Sequence, residues 1–86
     1  AEPLFFDPVD GKAESYLINT NCVELKVGGA RLSSQRPNRI YTTKTARASD
    51  VLELTRRIRD RISERGNIVL EPAVRFVDED GKRIDL

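Results

Sequence analysis

At 86 residues the chain fits one domain, and it has no room for a large enclosed ligand cavity, because a domain of this size buries only about 60% of the surface its unfolded form exposes. Hydrophobic residues at 38%, charged residues at 34% and a net charge of +1 describe a folded soluble chain rather than a disordered one. A single cysteine, Cys22, excludes a disulfide within this chain, and the lack of histidine excludes an imidazole base and a histidine-bound zinc, so acid and base work falls to carboxylates, lysines or tyrosines.

In chain order, Glu2-Pro3-Leu4-Phe5-Phe6-Asp7-Pro8 is extended, since each proline biases its predecessor away from the helical region. Asp10-Gly11 makes a turn, and a helix is predicted from Lys12 to about Thr20, with Ala13, Tyr16 and Leu17 on one side and Asn19-Thr20-Asn21 as its stop. Cys22 reads as a small buried hydrophobe with no imidazole to activate it. Val23, Leu25 and Val27 alternate with Glu24 and Lys26, the pattern of a half-buried strand, which Gly28-Gly29 breaks. A second strand is predicted through Ala30, Arg31 and Leu32, and a third through Arg39, Ile40 and Tyr41 after the Gln35-Arg36-Pro37-Asn38 loop.

The clearest helix runs over roughly residues 48–65. Val51, Leu54, Ile58 and Ile62 recur at helical steps, Ser49 is the expected cap with Asp50 and Glu53 in the first turn, and Gly66 is expected just past the end. Its other faces carry Arg56, Arg57, Arg59, Arg61 and Arg65. A long strand over Ile68 to Val77, a turn at Asp78-Glu79-Asp80-Gly81 and a last strand around Ile84 complete the chain. The order predicts an α+β class: two helices packed on one face of a small, largely antiparallel sheet, residues 1–86 forming a single domain. No apolar run exceeds a few residues, Ile68-Val69-Leu70 being typical, which makes a cytoplasmic protein, or a fragment of one, the default expectation, with no membrane partner.

Charge is unevenly placed. Residues 1–25 carry one basic and five acidic side chains, residues 26–65 carry eleven and four, and residues 66–86 carry three and five. The positive middle favours an anionic ligand, for which Arg36, Asn38, Arg39, Lys26 and Arg31 are the candidates. Gly28-Gly29 lacks the third glycine and the Lys-Ser/Thr of nucleotide loops, and Ser33-Ser34 has no base at a suitable spacing, so no generic catalytic motif is present.

In order, however, several segments resemble one family. Leu25-Lys26-Val27-Gly28-Gly29-Ala30-Arg31-Leu32-Ser33 is similar to the "Arg-Ile-Gly-Gly-Ala-x-Val-Ser" segment of the UDP-N-acetylenolpyruvoylglucosamine reductases (UDP-N-acetylmuramate dehydrogenases, the MurB flavoenzymes of peptidoglycan synthesis). Asn38 and Ile40 fall where that family has "His-Ala-Asn-Phe-Ile", Ala48-Ser49-Asp50-Val51-Leu52 resembles its "Ala-x-Asp-Val-Leu", and Leu70-Glu71-Pro72-Ala73-Val74-Arg75 resembles its terminal "Leu-Glu-Pro-Glu-Val-Arg". Phe5-Phe6-Asp7-Pro8 resembles its "Gly-Ser-Phe-Phe-Lys-Asn-Pro" loop.

The resemblance implies the C-terminal, substrate-side domain, an α+β unit closing over a UDP-sugar, with FAD and NADPH bound by other domains and no cofactor in this chain. In the family a serine of the Phe-Phe loop supplies a proton to C2 after hydride reaches C3, assisted by the Glu before Val in the terminal strand. The matching positions here are Leu4 and Ala73, or Pro3 and Ala73 if the loop is matched on Asp7-Pro8; none has a hydroxyl or carboxylate to give. Glu71 matches the family's other glutamate and stands about two residues from the needed place. Arg36-Pro37-Asn38-Arg39 replaces the family's His-Ala-Asn-Phe, offering two guanidiniums suited to a diphosphate. Three readings follow: a non-catalytic relative of the substrate domain with a binding, regulatory or scaffolding role; the excised C-terminal domain of an active reductase; and a nucleic-acid module using the Arg-rich helix, disfavoured because stacking aromatics are scarce and not interleaved with the basic residues.

Overall fold

The computed structural model describes residues 3–86. Helix α1 spans Ala13–Asn19 and a 3-10 turn spans Cys22–Glu24; strands β1 (Lys26–Val27), β2 (Ala30–Leu32) and β3 (Ile40–Thr42) follow, then helix α2 (Ala48–Gly66) and the hairpin β4 (Phe76–Val77) and β5 (Arg83–Ile84). All strand pairs are antiparallel: β1-β2-β3 form one sheet and β4-β5 a second. Helix α2 packs on β1 and β2, and α1 packs on α2, giving the two-helix, antiparallel α+β arrangement that the periodicities imply.

The core is the meeting of the two apolar periods. Leu54, Ile58 and Ile62 of α2 are wholly buried against Ala30 and Leu32 of β2, Leu17 of α1 and Leu70. Burying each such Leu or Ile side chain contributes roughly 1.5–3 kcal/mol. Thr55 is also buried, and its hydroxyl is satisfied by the Val51 carbonyl at 2.7 Å. Among the described residues no buried side-chain polar atom lacks a partner.

Four expectations are corrected. The strand over Val23 begins only at Lys26, because Asn21 takes a left-handed conformation (φ 59°) that turns residues 22–24 into a 3-10 helix and buries Cys22. The long strand over residues 68–77 keeps its extended course but has no continuous ladder. It makes one antiparallel bridge, Pro72 to Phe5, flanked by Phe6 N–H to the Glu71 carbonyl (2.9 Å) and Ala73 N–H to the Leu4 carbonyl (2.8 Å), and it joins a strand ladder only at Phe76. Pro72 has no N–H to extend the pairing. Ser49 is not the cap of α2: Arg47 holds that position, and its backbone N–H donates to Asp50 Oδ2 at 2.9 Å. Gly66 is the last helical residue rather than the first beyond, and Asn67 (φ 54°) takes the left-handed cap.

Candidate functional site

The turn between β2 and β3 is closed by its own backbone. Ser33 N–H donates to the Arg39 carbonyl at 2.8 Å, Arg39 N–H to the Arg36 carbonyl at 2.9 Å, and Arg36 N–H to Ser33 Oγ at 3.2 Å. Asn38 then fastens this turn to the N-terminal segment. Its Oδ1 accepts the Phe5 N–H at 3.0 Å, its Nδ2 donates to the Phe5 carbonyl at 2.9 Å, and its own carbonyl accepts the Leu4 N–H at 2.9 Å. An asparagine amide can mimic a backbone unit in this way because it offers one acceptor and two donors on a planar group. Residues 4–6 therefore lie between the 36–39 turn on one side and residues 71–73 on the other.

An open cleft of about 450 Å³ forms at this junction, lined by Pro3, Asp7, Lys12, Glu14, Arg36, Asn38 and Arg39. It brings together three of the five ligand candidates, Arg36, Asn38 and Arg39, and adds Lys12. Among the described residues neither Arg36 nor Arg39 is in an ion pair, whereas Arg57, Arg61 and Arg83 are. Of the two carboxylates on the wall, Asp7 is engaged: its Oδ1 accepts the Ala13 N–H at 2.9 Å at the start of α1. No local pattern in the sequence joins Asp7, Lys12 and Glu14 to the 36–39 turn: Asp7 reaches the start of α1 from six residues away, and the Asn38 contacts that hold the N-terminal segment to the turn span 33 residues.

Leu4 and Ala73, where the resemblance would place the family's proton-transfer residues, lie side by side. Leu4 and Ala73 share the 2.8 Å backbone hydrogen bond, but the Leu4 side chain is part of the core, 1% exposed, while Pro3 lines the cleft. Glu71 lines two other surface depressions and not this one.

Lys26 and Arg31 are not with the other candidates. They are cross-strand partners on β1 and β2 and line a separate surface depression with Tyr41. The arginine face of α2 is partly structural: Arg61 Nη1 pairs with Glu24 Oε1 at 2.7 Å and reaches the Asn21 carbonyl at 3.0 Å, and Arg65 Nη1 donates to the Thr20 carbonyl at 3.3 Å. These contacts pin the 20–24 turn over Cys22. The buried thiol lies 3.2 Å from Thr20 Oγ1, which in turn donates to the Tyr16 carbonyl at 2.7 Å, and the thiol faces the Ile58 carbonyl at 4.0 Å. Burial pushes the Cys22 thiol above its ordinary range despite the Thr20 contact and nearby Arg61 and Arg65, the opposite of what a nucleophile requires. Among the described residues no group of three or more metal-ligating side chains is gathered, and no helix is long and apolar enough to cross a membrane.

Comparison with known proteins bears on residues 3–77, which match the family model of the UDP-N-acetylenolpyruvoylglucosamine reductase C-terminal domain. Among curated relatives, the UDP-N-acetylenolpyruvoylglucosamine reductase of Syntrophotalea carbinolica is 43% identical over 79 residues, 92% of this chain and 26% of the relative. That of Pasteurella multocida is 39% identical over 57 residues (66% and 17%), and that of Escherichia coli K12 is 31% identical over 58 residues (67% and 17%). The chain thus spans about a quarter or less of the length of the curated relatives it matches. With a family match across the cleft, both helices and the bridged terminal segment, the chain belongs to the family of UDP-N-acetylenolpyruvoylglucosamine reductase C-terminal domains.

Proposed function

We propose that this domain is a non-catalytic relative of the reductase substrate domain, and that it binds an anionic ligand of the UDP-sugar class in the cleft between Lys12, Arg36 and Arg39. The observation that carries this reading is the clasp by Asn38, which sets two guanidiniums without ion pairs beside the loop that matches the family's proton-delivering segment. Burial supports matching that loop on Asp7-Pro8: Leu4 and Phe5 are each 1% exposed, as two consecutive aromatics of a core would be, and Phe6 is 53% exposed where the family has lysine. The serine position then falls on Pro3, at the cleft wall. In either register a carbon side chain stands where a proton donor is needed, and Ala73 stands where its carboxylate partner is needed. Hydride transfer would rest on FAD held by other domains, so the chain's own residues bind and orient the ligand.

Isothermal titration with UDP-N-acetylmuramate tests the binding. Affinity is expected to fall as salt rises, since screening shortens from about 10 Å at 0.1 M to about 3 Å at 1 M, and to be lost on Arg36→Ala with Arg39→Ala. Unchanged affinity in high salt, or in the double variant, would overturn the electrostatic account.

A second reading has its own support. The 43% identity across 79 residues with the Syntrophotalea carbinolica reductase suits a segment of an active enzyme in which the proton is supplied from elsewhere. The two readings part on turnover, which a chimera measures directly.

A further inference from the structure

The three strands β1, β2 and β3 carry a single cross-strand row, Lys26 opposite Arg31 and Arg31 opposite Tyr41. Alternation puts Val27, Ala30, Leu32 and Ile40 toward the core, and leaves Lys26, Arg31 and Tyr41 exposed on the outer face. A polar outer face is ordinary for an antiparallel sheet. Among the described residues Lys26 and Arg31 are in no ion pair, as holds for most basic residues of the chain. What sets this face apart is the Arg31 guanidinium, held over the Tyr41 ring 4.8 Å from its centroid, while Tyr41 remains 47% exposed.

A stacked guanidinium has already lost much of the rotamer freedom that binding would remove, so an anion meeting it gains more of the contact energy. Beside the row, Gly28, Gly29 and Thr43 complete an open depression of about 330 Å³, with no side chain rising from either glycine. The Asp50 carboxylate lies against Gly28 and is engaged, accepting the Arg47 N–H. From these observations we infer that the outer sheet face is a second ligand site, separate from the cleft, that takes a nucleoside phosphate: the base stacks on the Arg31–Tyr41 pair and the phosphate is held by Lys26 and Arg31. A planar ring and an anion on one ligand match the two kinds of group the row offers, which a bare anion or an aliphatic acid does not.

Backbone amide NMR of the full 86-residue chain, titrated separately with adenosine 5′-monophosphate, adenosine and inorganic phosphate, tests the inference. The expected result is saturable shifts at Gly28, Gly29, Arg31, Tyr41 and Thr43 with the nucleotide, weaker binding by adenosine or phosphate alone, and affinity lowered at least about fivefold in Arg31→Ala and in Tyr41→Ala, the scale of one lost stacking or cation–π contact. The Arg36→Ala with Arg39→Ala variant is expected to leave these shifts unchanged. Should Tyr41→Ala lose its dispersed spectrum, Tyr41→Leu replaces it. Shifts confined to the cleft, no saturation with the nucleotide, or phosphate binding as tightly as the nucleotide would each overturn the inference.

Discussion

Gly28 and Gly29 show how far a single hydrogen in place of a methyl group decides local structure. Gly28 has φ 54°, and a Cβ there would meet the Asp50 carboxylate; a Cβ on Gly29 would collide with Thr43 Oγ1 and with the Ala46 backbone, 2.9 Å away. Backbone cannot swing aside as a flexible side chain does, so Gly29→Ala is expected to destabilise by about 1–3 kcal/mol. Gly66 is the opposite case: it is helical, and an added Cβ would find Tyr16, Ile62 and Ile68 at 3.5–3.8 Å, ordinary contact. Gly66→Ala is expected to stabilise by roughly 0.5–1 kcal/mol. Urea unfolding of both variants checks the pair, and an equal effect of the two would contradict the packing described.

Cys22 gives a pH signature at the same scale. Its folded-state thiol is raised, chiefly by burial. A thiolate is therefore easier to form in the unfolded chain, and the stability tied to the neutral thiol is fully present below the ordinary value of about 8.5 and is lost as pH rises toward the folded-state value. Unfolding midpoints between pH 7 and 10 are expected to fall less steeply in Cys22→Ala than in the parent. Parallel slopes would show that the thiol is not the group responsible.

Among the elements, the connection between the N-terminal segment and the 36–39 turn is the one on which the cleft depends. Asn38→Ala removes two hydrogen bonds and leaves the Phe5 N–H and carbonyl without their partner in a mostly buried place. An unsatisfied buried polar group costs about 1–3 kcal/mol, so a loss of at least that order, together with weakened ligand binding, is expected from denaturation and titration of the variant. Asn38 also marks the limit of what the sequence discloses. Helix α2 was legible because Val51, Leu54, Ile58 and Ile62 repeat at a helical period, and the β1–β2 hairpin because Gly28-Gly29 interrupts an alternating run. The clasp was not, since a side chain reaching a backbone 33 residues away leaves no local pattern. The same holds for Asp7 on α1 and for the separation of Lys26 and Arg31 from Arg36 and Arg39: proximity in sequence placed the four cations in one group, and the strand register divided them. The 68–77 segment misled for a different reason: its β-like alternation is real, but it meets only the short run 4–6 around Pro72 and the two-residue β5 at its end.

At the scale of the molecule, the domain has the frame of a reductase C-terminal domain, with no hydroxyl at residues 3 and 4 and no carboxylate at 73. A chimera in which this chain replaces the C-terminal domain of the Syntrophotalea carbinolica reductase tests that claim most directly, because flavin loading and reduction by NADPH would be provided by the rest of the relative. The chimera is expected to hold FAD, to be reduced by NADPH and to show a flavin spectral shift on adding substrate, yet not to turn over. Pro3→Ser with Ala73→Glu is expected to restore part of the rate, and either change alone little, because donor and carboxylate act as a unit. Turnover near that of the parent reductase before any substitution would contradict the account and establish the domain as part of an active enzyme.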